Sequence, residues 1–488
     1  MRGEYRVHMS HQNEANRALP VFFGTEMWER YGFYAVQSLL ALYLSLQLHL
    51  GDAKVYVLVG SFTALTYISP VIGGWIADKY LGQKMSVFVG GIVLFFSYIL
   101  LGLSFSLEHL ILSLASIAIG TGLLKPNISS LLGRQYAIKD PKRNSAFTIF
   151  YLGITTGIIL GTTLPGKLQA LFGWQACFFS AALGMVFAVF IFFMGTKVLS
   201  IKEYAVLKYT GLVRWMMAIG MLLLSYLVFC SVLLHPYMAT LFFIAVATLA
   251  TGVVLTIAYK EEGDQRKKTL SLLLLFIIST FFWSFYFEMF MMLTLFISRS
   301  VNPIVLGIHF PAPYYVSVQS VGMIVFGIFL SKLWVRLREN NVAYAIGLKF
   351  TLAIFFMFLA YVIILASCSN YQSTALISPW PILVAYVTIS LAELMLSPIG
   401  LAAVTRLSSS NVVSTLMGVF FVSLGIGGFL SGQLAKVTTI QLSSETLVQI
   451  KTQYFHGFFI LTLLLAVVLA VTALLCWCIK KLGKQILW

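Results

Sequence analysis

Apolar residues in this chain form long runs that are interrupted by short polar segments. A helix needs about 20 apolar residues to cross a bilayer, and we count fourteen runs of that kind. The pattern therefore predicts an all-α polytopic membrane protein. The runs are roughly 18–48, 54–78, 85–106, 109–132, 146–170, 174–196, 211–234, 237–259, 270–298, 314–334, 343–367, 379–404, 412–434 and 455–479.

Composition agrees with this picture and excludes several classes of protein. Hydrophobic residues make up 60% of the 488 residues and charged residues only 10%, whereas soluble domains carry about a quarter charged residues. A soluble enzyme, a disulfide-rich secreted scaffold and a disordered chain are therefore excluded. The five cysteines lie in or beside apolar segments and do not suggest a disulfide framework.

The net charge of +16 reflects orientation in the membrane and does not indicate a nucleic-acid partner, because no nucleic-acid-binding motif accompanies the basic residues. Of the 32 Lys and Arg, two lie deep inside apolar runs and 25 lie in the termini, the loops and the adjoining run ends of one side. The positive-inside rule makes that side cytoplasmic, so both termini are predicted there, in a plasma (inner) membrane. The other loops hold Lys54, Lys167, Arg299, Lys436 and Lys451.

Two polar linkers, 197–210 and 260–269, flank one pair of runs. Without that pair, six helices precede and six follow, and two six-helix halves around a central cavity are typical of many transporters. In chain order, the predicted parts are a cytoplasmic tail (1–17), an N-terminal six-helix bundle (18–196), a linker with two extra transmembrane helices (197–269), a C-terminal six-helix bundle (270–480) and a second cytoplasmic tail (481–488).

Six charged residues lie deep inside the predicted spans, at least seven positions from either end. A charge at the membrane centre costs at least about 2.5–3.5 kcal/mol, so such a group is expected to face a cavity or a partner. We therefore treat these residues as candidate functional residues. They are Glu26, Glu29, Arg30, Lys125, Glu288 and Glu393.

The first run carries three of these charges on one helical face. Glu26 and Arg30 are one helical turn apart, and Glu29 lies beside them. Two carboxylates that share one guanidinium in a medium of low dielectric constant cannot both be compensated, so one of them is the expected proton carrier. Tyr34 continues the same face. The alternative interpretation is an ion cluster with a purely structural role.

The other three charges allow more than one interpretation. Lys125 follows Gly120 and Gly122, and it is either an anion site or a partner for the acids of the first run; the alternative is snorkelling to the membrane surface. Glu393 lies well inside its run and is expected to face the basic residues of the first half. Glu288 could gate, carry protons or face water.

Nothing in the sequence supports a metal or a cofactor. No histidine lies in the middle of a span or pairs with acids at the spacing of metal ligands. The nucleotide-binding pattern Gly-x4-Gly-Lys-Ser/Thr is absent, which argues against ATP as the energy source. We therefore expect no metal and no cofactor, and a monomer surrounded by membrane lipids.

Four separated parts of the chain carry a family resemblance. They are EMWERY at 26–31, GGWIAD at 73–78, GTGLLKPN at 120–127 with FYLGITTG at 150–157, and ELMLSPIGL at 393–401 with STLMG at 414–418. The first resembles the ExxERF/Y motif of the proton-coupled oligopeptide transporter (POT/PTR) family of the major facilitator superfamily. The second resembles the loop motif of that superfamily. The third is similar to the signature of the family, and the fourth to its tenth and eleventh core helices.

The resemblance implies the major facilitator fold, with two six-helix bundles and two extra helices between them. It also implies import of di- and tripeptides with protons by alternating access, and no enzymatic activity. The implied partners are protons and a small peptide-like substrate. The loop motif, which consists of Gly74, Asp78 and Gly82, would belong to a gate.

The resemblance further implies roles for single residues. Arg30 and Lys125 would receive the carboxylate of the peptide, and Glu393 would receive its amino group. Proton coupling would involve Glu26, Glu29, Arg30, Lys125 and Glu288. The substrate-binding residues would be Arg30, Tyr34, Tyr67, Lys125, Thr155, Trp283, Gln319, Glu393, Ser397 and Phe420.

The departures from the family pattern are concentrated in the pocket. The acid that usually follows Trp283 by four residues is Phe287 here, and Glu288 comes one place later, which rotates the carboxylate by about 100° around the helix. Coupling residues are retained, while recognition of the peptide backbone is altered. The other replacements are Phe33 for a tyrosine, Thr155 and Gln319 for asparagines, and Phe420 for a tryptophan.

Three alternatives to peptide import remain open. The same proton-coupled fold could carry a modified peptide or another zwitterionic metabolite. A membrane-embedded enzyme would need a nucleophile in mid-span with His or Asp in reach, and the sequence supplies none. A drug exporter would take up its substrate into inverted vesicles.

Overall fold

The computed structural model describes residues 2–104, 106–137, 140–203, 211–339, 346–440 and 446–482, and only the backbone of 2–16, 141, 144, 334–339 and 478–482. These residues are almost entirely helical. The helices are α1 (Arg2–Leu42), α2 (Asp52–Ile76), α3 (Gln83–Gly102), α4 (Leu107–Gln135), α5 (Pro141–Val198), α6 (Gly211–Leu234), α7 (Pro236–Lys260), α8 (Gly263–Tyr286), α9 (Met292–Ser300), α10 (Pro313–Glu339), α11 (Ile346–Ser367), α12 (Pro379–Leu407), α13 (Val413–Leu434) and α14 (Leu447–Leu482).

The predicted all-α polytopic architecture is confirmed. Within the described ranges, twelve helices are long and apolar enough to cross a membrane by length and composition. Helix α5 contains two of the predicted runs, and α1 is not among the twelve, because its charged residues lower its hydropathy. Parts of the predicted linker (204–210), of the eleventh run (343–345) and of the C-terminal tail (483–488) lie outside the described residues.

The structure departs from the sequence expectations at four places. The predicted loop between the fifth and sixth runs is a kink inside α5 at Gly173, whose φ of 82° favours glycine. The predicted run 270–298 is broken, since a 3₁₀ turn at Phe287–Phe290 separates α8 from α9. Residues 2–17, predicted as a tail, form the N-terminal part of α1. A short antiparallel hairpin, β1 (Ile304–Val305) and β2 (Ile308–His309), follows α9 and was not predicted.

The chain forms two compact units. The first consists of Met1–Leu39 and Leu65–Pro236, and the second of Leu40–Ala64 and Tyr237–Trp488. Of the two extra helices, α6 belongs to the first unit and α7 to the second. The bundle and linker boundaries expected from the sequence stay predictions.

In the first unit, a stripe of glycines lets the N-terminal half of α5 approach α1 closely. A Cβ atom on Gly157 would lie 2.3 Å from the carbonyl oxygen of Met27 and 2.7 Å from Cβ of Arg30. One on Gly161 would lie 2.6 Å from the carbonyl oxygen of Tyr31. Small residues four apart permit such backbone contact between membrane helices. The charged face of α1 is therefore held directly against α5.

A second pair of glycines joins α2 to α4. A Cβ on Gly73 would lie only 2.1 Å from the carbonyl oxygen of Gly122, and one on Gly122 would lie 2.8 Å from the Oγ atom of Ser69. No side chain larger than hydrogen fits between these backbones. This contact brings the C-terminal part of α2 beside the part of α4 that carries Lys125.

The extra helix α6 packs against the end of α2. Ala218 of α6 lies in one apolar core cluster with Ile76, with Tyr80 of the following π-helical turn (Ala77–Leu81), and with Leu123 of α4. Trp215, also on α6, packs against the same cluster. Helix α6 therefore supports the turn that carries the loop motif.

In the second unit, glycines again allow close contact between helices. A Cβ on Gly427 of α13 would lie 2.6 Å from Cβ of Trp283 on α8, and one on Gly322 of α10 would lie 2.4 Å from Oγ of Ser390 on α12. These contacts fix the helices that carry the candidate residues of this unit. Phe243 of α7 stacks on Phe429 of α13, with ring centroids 4.5 Å apart.

Candidate functional site

The three charged residues of α1 form a buried cluster, here called the first-helix cluster (Glu26, Glu29 and Arg30). Each side chain is at most 3% exposed. The guanidinium of Arg30 donates from Nε to Glu29 Oε2 at 2.5 Å and from Nη2 to Glu29 Oε1 at 2.6 Å. Phe33 lies under the guanidinium, 4.9 Å from ring centroid to Cζ, which adds a cation–π contact. The prediction that these charges share one face is confirmed.

The two carboxylates of the cluster are not equivalent. Glu29 takes both hydrogen bonds of the guanidinium fork, which is the strong bidentate arrangement. Glu26 Oε1 lies 3.4 Å from Nε of Arg30, and Glu26 Oε2 has no hydrogen-bond partner among the described residues. Two carboxylates and one guanidinium leave one negative charge. Glu26 is therefore the carboxylate that is less compensated.

Lys125 lies close to this cluster without forming an ion pair with it. Its charge acts on both carboxylates and on Arg30 through space, but no carboxylate of the described residues lies within 4 Å of its Nζ. Nζ sits over the ring of Tyr67 on α2, 4.9 Å from the centroid. The N–H groups of the Lys125 ammonium are therefore not used by a carboxylate, although the charges of Glu26 and Glu29 act on it through space. An incoming anion can bind such a group.

Two further candidates of the first unit are Tyr34 on α1, which acts electrostatically on Arg30, and Thr155 on α5. The ring of Tyr34 is half-buried and packs edge-on against Phe33, with centroids 5.3 Å apart. Thr155 is 7% exposed, and its hydroxyl donates to the carbonyl of Tyr151 one turn earlier, at 3.1 Å. The donor of Thr155 is thus used inside its own helix. Helices α1, α2 and α4 bring the first-helix cluster, Tyr67 and Lys125 together, whereas no contact of the Thr155 side chain with these residues is observed in the described part of the chain.

The loop motif forms the end of α2. The helix passes into a π-helical turn at Ala77–Leu81, and Gly82, with φ of 79° and ψ of 158°, starts α3. This backbone conformation requires glycine at position 82. Asp78 is exposed and acts electrostatically on Arg134 of α4. A Cβ atom on Gly74 would lie 3.8 Å from Pro126 of α4. The motif therefore joins α2, α3 and α4.

Glu393 lies on α12 in the second unit and has neutral partners. Gln319 on α10 donates from Nε2 to Glu393 Oε2 at 2.7 Å, and Tyr286 at the end of α8 is a second hydrogen-bonding neighbour. No described cation lies within 4 Å of this carboxylate. Ser397 follows one turn later and is half-buried. A carboxylate with two neutral donors and no cation is suited to bind a substrate amine.

Aromatic side chains surround this part of the second unit. Trp283 stacks on Phe287, with centroids 5.5 Å apart, and lies edge-on to Tyr286 at 4.8 Å. The Nε1 donor of Trp283 has no acceptor among the described residues. Phe420 of α13 fills the space beside Gly400, where a Cβ would lie 2.7 Å from its ring. Phe420 supplies apolar surface and, unlike a tryptophan, no hydrogen-bond donor.

Glu288 lies apart from this group, in the 3₁₀ turn between α8 and α9. The residue is 0% exposed, and neither carboxylate oxygen has a hydrogen-bond partner among the described residues. Ser431 of α13 and Tyr361 of α11 are its polar neighbours. No described cation lies within 4 Å of this carboxyl group.

One buried ion pair was not anticipated from the sequence. Arg299 of α9 binds Asp52, the first residue of α2, through two hydrogen bonds of 2.7 Å. Ser45, Tyr454 and the backbone N–H of Ile440 complete the network at 3.0, 3.2 and 3.1 Å. Both charged residues lie at helix ends, where a sequence pattern does not show that they are buried. This network connects α2, α9 and α14 within the second unit.

The described residues contain no group of three or more His, Cys, Asp or Glu that could hold a metal ion.

Comparison with known proteins adds independent information. The model of the POT family (PTR2) matches residues 84–451. Dipeptide and tripeptide permease B of Yersinia enterocolitica serotype O:8 / biotype 1B is 30% identical over 459 residues, which cover 92% of each protein. The permease of the same name from Salmonella typhimurium is 28% identical over 460 residues, or 92% of this chain and 93% of the relative. A crystal structure of a peptide transporter POT in complex with sulfate is 25% identical, with a TM-score of 0.80 and 95% of each chain covered.

Proposed function

The chain belongs to the POT family, and we propose that it imports di- and tripeptides together with protons by alternating access. The relatives named as dipeptide and tripeptide permeases support this substrate class. The observation that carries the proposal is the first-helix cluster with its excess negative charge beside Lys125. A transporter of zwitterions needs groups that bind charged termini and a group that binds a proton, and the chain has both.

Proton coupling follows from the charge balance of the cluster. With Glu26 ionised, its negative charge attracts Lys125 and competes with an incoming carboxylate. A proton on Glu26 neutralises the cluster, because Glu29 and Arg30 compensate each other. Lys125 is then the one uncompensated charge and binds the carboxylate of a peptide. Proton binding and peptide binding therefore favour each other.

The amino end of the substrate would bind to Glu393. This carboxylate holds a negative charge with two neutral hydrogen-bonding neighbours, Gln319 and Tyr286, and its partner would be an alkylammonium group. A charge-assisted hydrogen bond of this kind contributes about 1.5–3 kcal/mol. Trp283 and Phe420 would supply apolar surface for the side chains of the substrate.

A second candidate substrate is a modified peptide or another zwitterionic metabolite. Two observations favour it. The hydroxyl of Thr155 donates to its own helix, and Phe420 has no polar atom. The chain therefore offers fewer donors for the amide groups of a peptide backbone than for its charged ends. Competition by a free dipeptide and by a zwitterion of the same length without the amide distinguishes the two candidates.

The coupling proposal is tested with purified protein in proteoliposomes. With the outside acidic, radiolabelled dialanine should accumulate, and a protonophore should abolish the accumulation. Glu26→Gln should retain exchange of substrate between the two sides and lose gradient-driven accumulation. Accumulation that persists without a proton gradient, or that depends on sodium alone, contradicts proton coupling.

Glu29→Gln is the matched control within the same cluster. It removes the same charge but leaves the guanidinium of Arg30 without its bidentate partner. Removing one member of a buried ion pair costs about 3–5 kcal/mol, so this variant should lower the melting temperature, whereas Glu26→Gln should not. Equal behaviour of the two variants contradicts the assignment of the proton to Glu26.

The location in the cell is part of the proposal. The protein is a multi-pass membrane protein, and we place it in the plasma (inner) membrane as a monomer with both termini in the cytoplasm. The excess of basic residues in one set of loops supports this orientation. Protease protection of terminal tags in sealed vesicles tests the orientation, and mass measurement in detergent tests the oligomeric state.

A further inference from the structure

The second unit contains a groove between α10, α11 and α12 with a volume of about 480 Å³, here called the α10–α12 groove. Its walls are mainly apolar, and two cations line it: Lys349 from the first turn of α11 and Arg406 from the last turn of α12. None of the described lining residues is acidic. The apolar walls of the groove are therefore suited to an acyl chain, and its positive charges are suited to an anionic headgroup.

The two cations are close enough to repel each other electrostatically. Arg406 is exposed and forms no ion pair with any described residue, while Lys349 is half-buried. A single anion between two cations removes this repulsion and accepts charge-assisted hydrogen bonds from both. A phosphate group has the oxygens to do so.

Two features favour a lipid over a soluble anion. Ile328 and Phe329 of α10 are 55% and 66% exposed and adjoin Leu330 in the wall of the groove, so the groove continues into an apolar surface of a membrane-spanning helix. The groove also lies at the helix ends that the basic residues predict to be cytoplasmic. Basic pockets between membrane helices on that side suit anionic headgroups.

A proline of α12, Pro398, also lines the groove. Pro398 has no N–H group to donate to the carbonyl of Leu394 one turn earlier, and both residues line the groove. A carbonyl released in this way accepts a hydrogen bond from a hydroxyl group. Phosphate for the cations and a hydroxyl for the carbonyl are combined in a phosphoglycerol headgroup.

We propose that the α10–α12 groove binds the phosphoglycerol headgroup of an anionic phospholipid, with Lys349 and Arg406 on the phosphate. This site is separate from the residues assigned to peptide and proton, so it stands whether or not the proposed substrate is correct. Bound lipid would hold α10, α11 and α12 together at this end.

The test uses the purified full-length protein in neutral detergent and measures its melting temperature. Dioleoylphosphatidylglycerol should raise the melting temperature in a saturable way, because a ligand that binds the folded state stabilises it by mass action. Dioleoylphosphatidylcholine and inorganic phosphate, each over the same concentration range, should not. Stabilisation by inorganic phosphate alone would overturn the lipid assignment in favour of a soluble anion, and equal stabilisation by phosphatidylcholine would show an unspecific lipid effect.

Variants locate the effect. The double variant Lys349→Gln/Arg406→Gln should weaken the phosphatidylglycerol effect at least about tenfold in midpoint concentration, since it removes two charge-assisted hydrogen bonds. Ala402→Phe keeps both cations and fills the groove, so it should also abolish the effect. The matched control Lys260→Gln/Arg266→Gln removes two exposed charges elsewhere and should leave it unchanged. An unaltered effect in both groove variants refutes the proposal.

Discussion

Replacing Glu393 by glutamine removes one negative charge and almost nothing else. Gln319 donates to Glu393 Oε2 at 2.7 Å, and the side-chain oxygen of a glutamine accepts the same bond. Packing around α12 is therefore retained. What the variant loses is the charge available to a substrate amine.

The expected magnitude follows from the surroundings of this carboxylate. The nearest basic residue along the chain, Arg406, is thirteen residues further, which corresponds to about 20 Å of helix. Among the described residues, no cation lies within 4 Å of the carboxylate in place of a substrate amine. Loss of one charge-assisted hydrogen bond, about 1.5–3 kcal/mol, weakens binding roughly ten- to a hundredfold.

The assay compares dialanine with its N-acetylated form in equilibrium binding to the purified protein. Glu393→Gln should weaken binding of the free amine by about one to two orders of magnitude and leave the acetylated ligand nearly unaffected. Glu288→Gln is the matched control, because it removes a buried carboxylate of the same unit that has other neighbours. Equal losses for both ligands in Glu393→Gln would refute the assignment of the amine.

Three further predictions follow from the first unit. Lys125→Ala should abolish concentrative uptake while the melting temperature stays within a few degrees, and wild-type uptake rates would return Lys125 to a snorkelling role. Gly157→Ala should destabilise the protein by about 1–3 kcal/mol in thermal unfolding, because its Cβ would lie 2.3 Å from the carbonyl oxygen of Met27. The control is Gly220→Ala, whose Cβ would have no atom within 4 Å, and this variant should be neutral or stabilising. Ala218→Leu should overpack the cluster between α6 and the turn after α2 and slow transport with an unchanged KM; unchanged uptake and stability would show that α6 does not support the loop motif.

The membrane architecture was predictable because its cause is local. Each helix must satisfy its own backbone hydrogen bonds in lipid, so about 20 apolar residues in a row are enough to indicate one. The same reasoning identified the charges that interrupt the runs, since burial of an unpartnered charge is costly anywhere in a membrane. The spacing from Glu26 to Arg30 predicted a shared helical face, and the structure confirms that contact.

Other features depend on which helices meet, and only the tertiary structure decided them. Helical spacing does not show which of Glu26 and Glu29 binds the guanidinium of Arg30. In the structure, the rotamer of Arg30 makes its bidentate contact with Glu29 and leaves Glu26 with an unpartnered oxygen. Helical spacing likewise said nothing of Asp52 and Arg299, which are 247 residues apart and form a buried pair.

Breaks in the helices also escaped prediction. Hydropathy predicts one continuous span over 270–298, but the chain leaves the α-helical path at Phe287–Phe290 and places Glu288 beside Ser431 and Tyr361. Hydropathy reports how strongly a segment prefers an apolar medium to water. It has the same value whether the backbone in that medium is a continuous helix or a broken one. The neighbours supplied by α11 and α13 therefore determine where this carboxylate lies, and hydropathy alone carries no information about them.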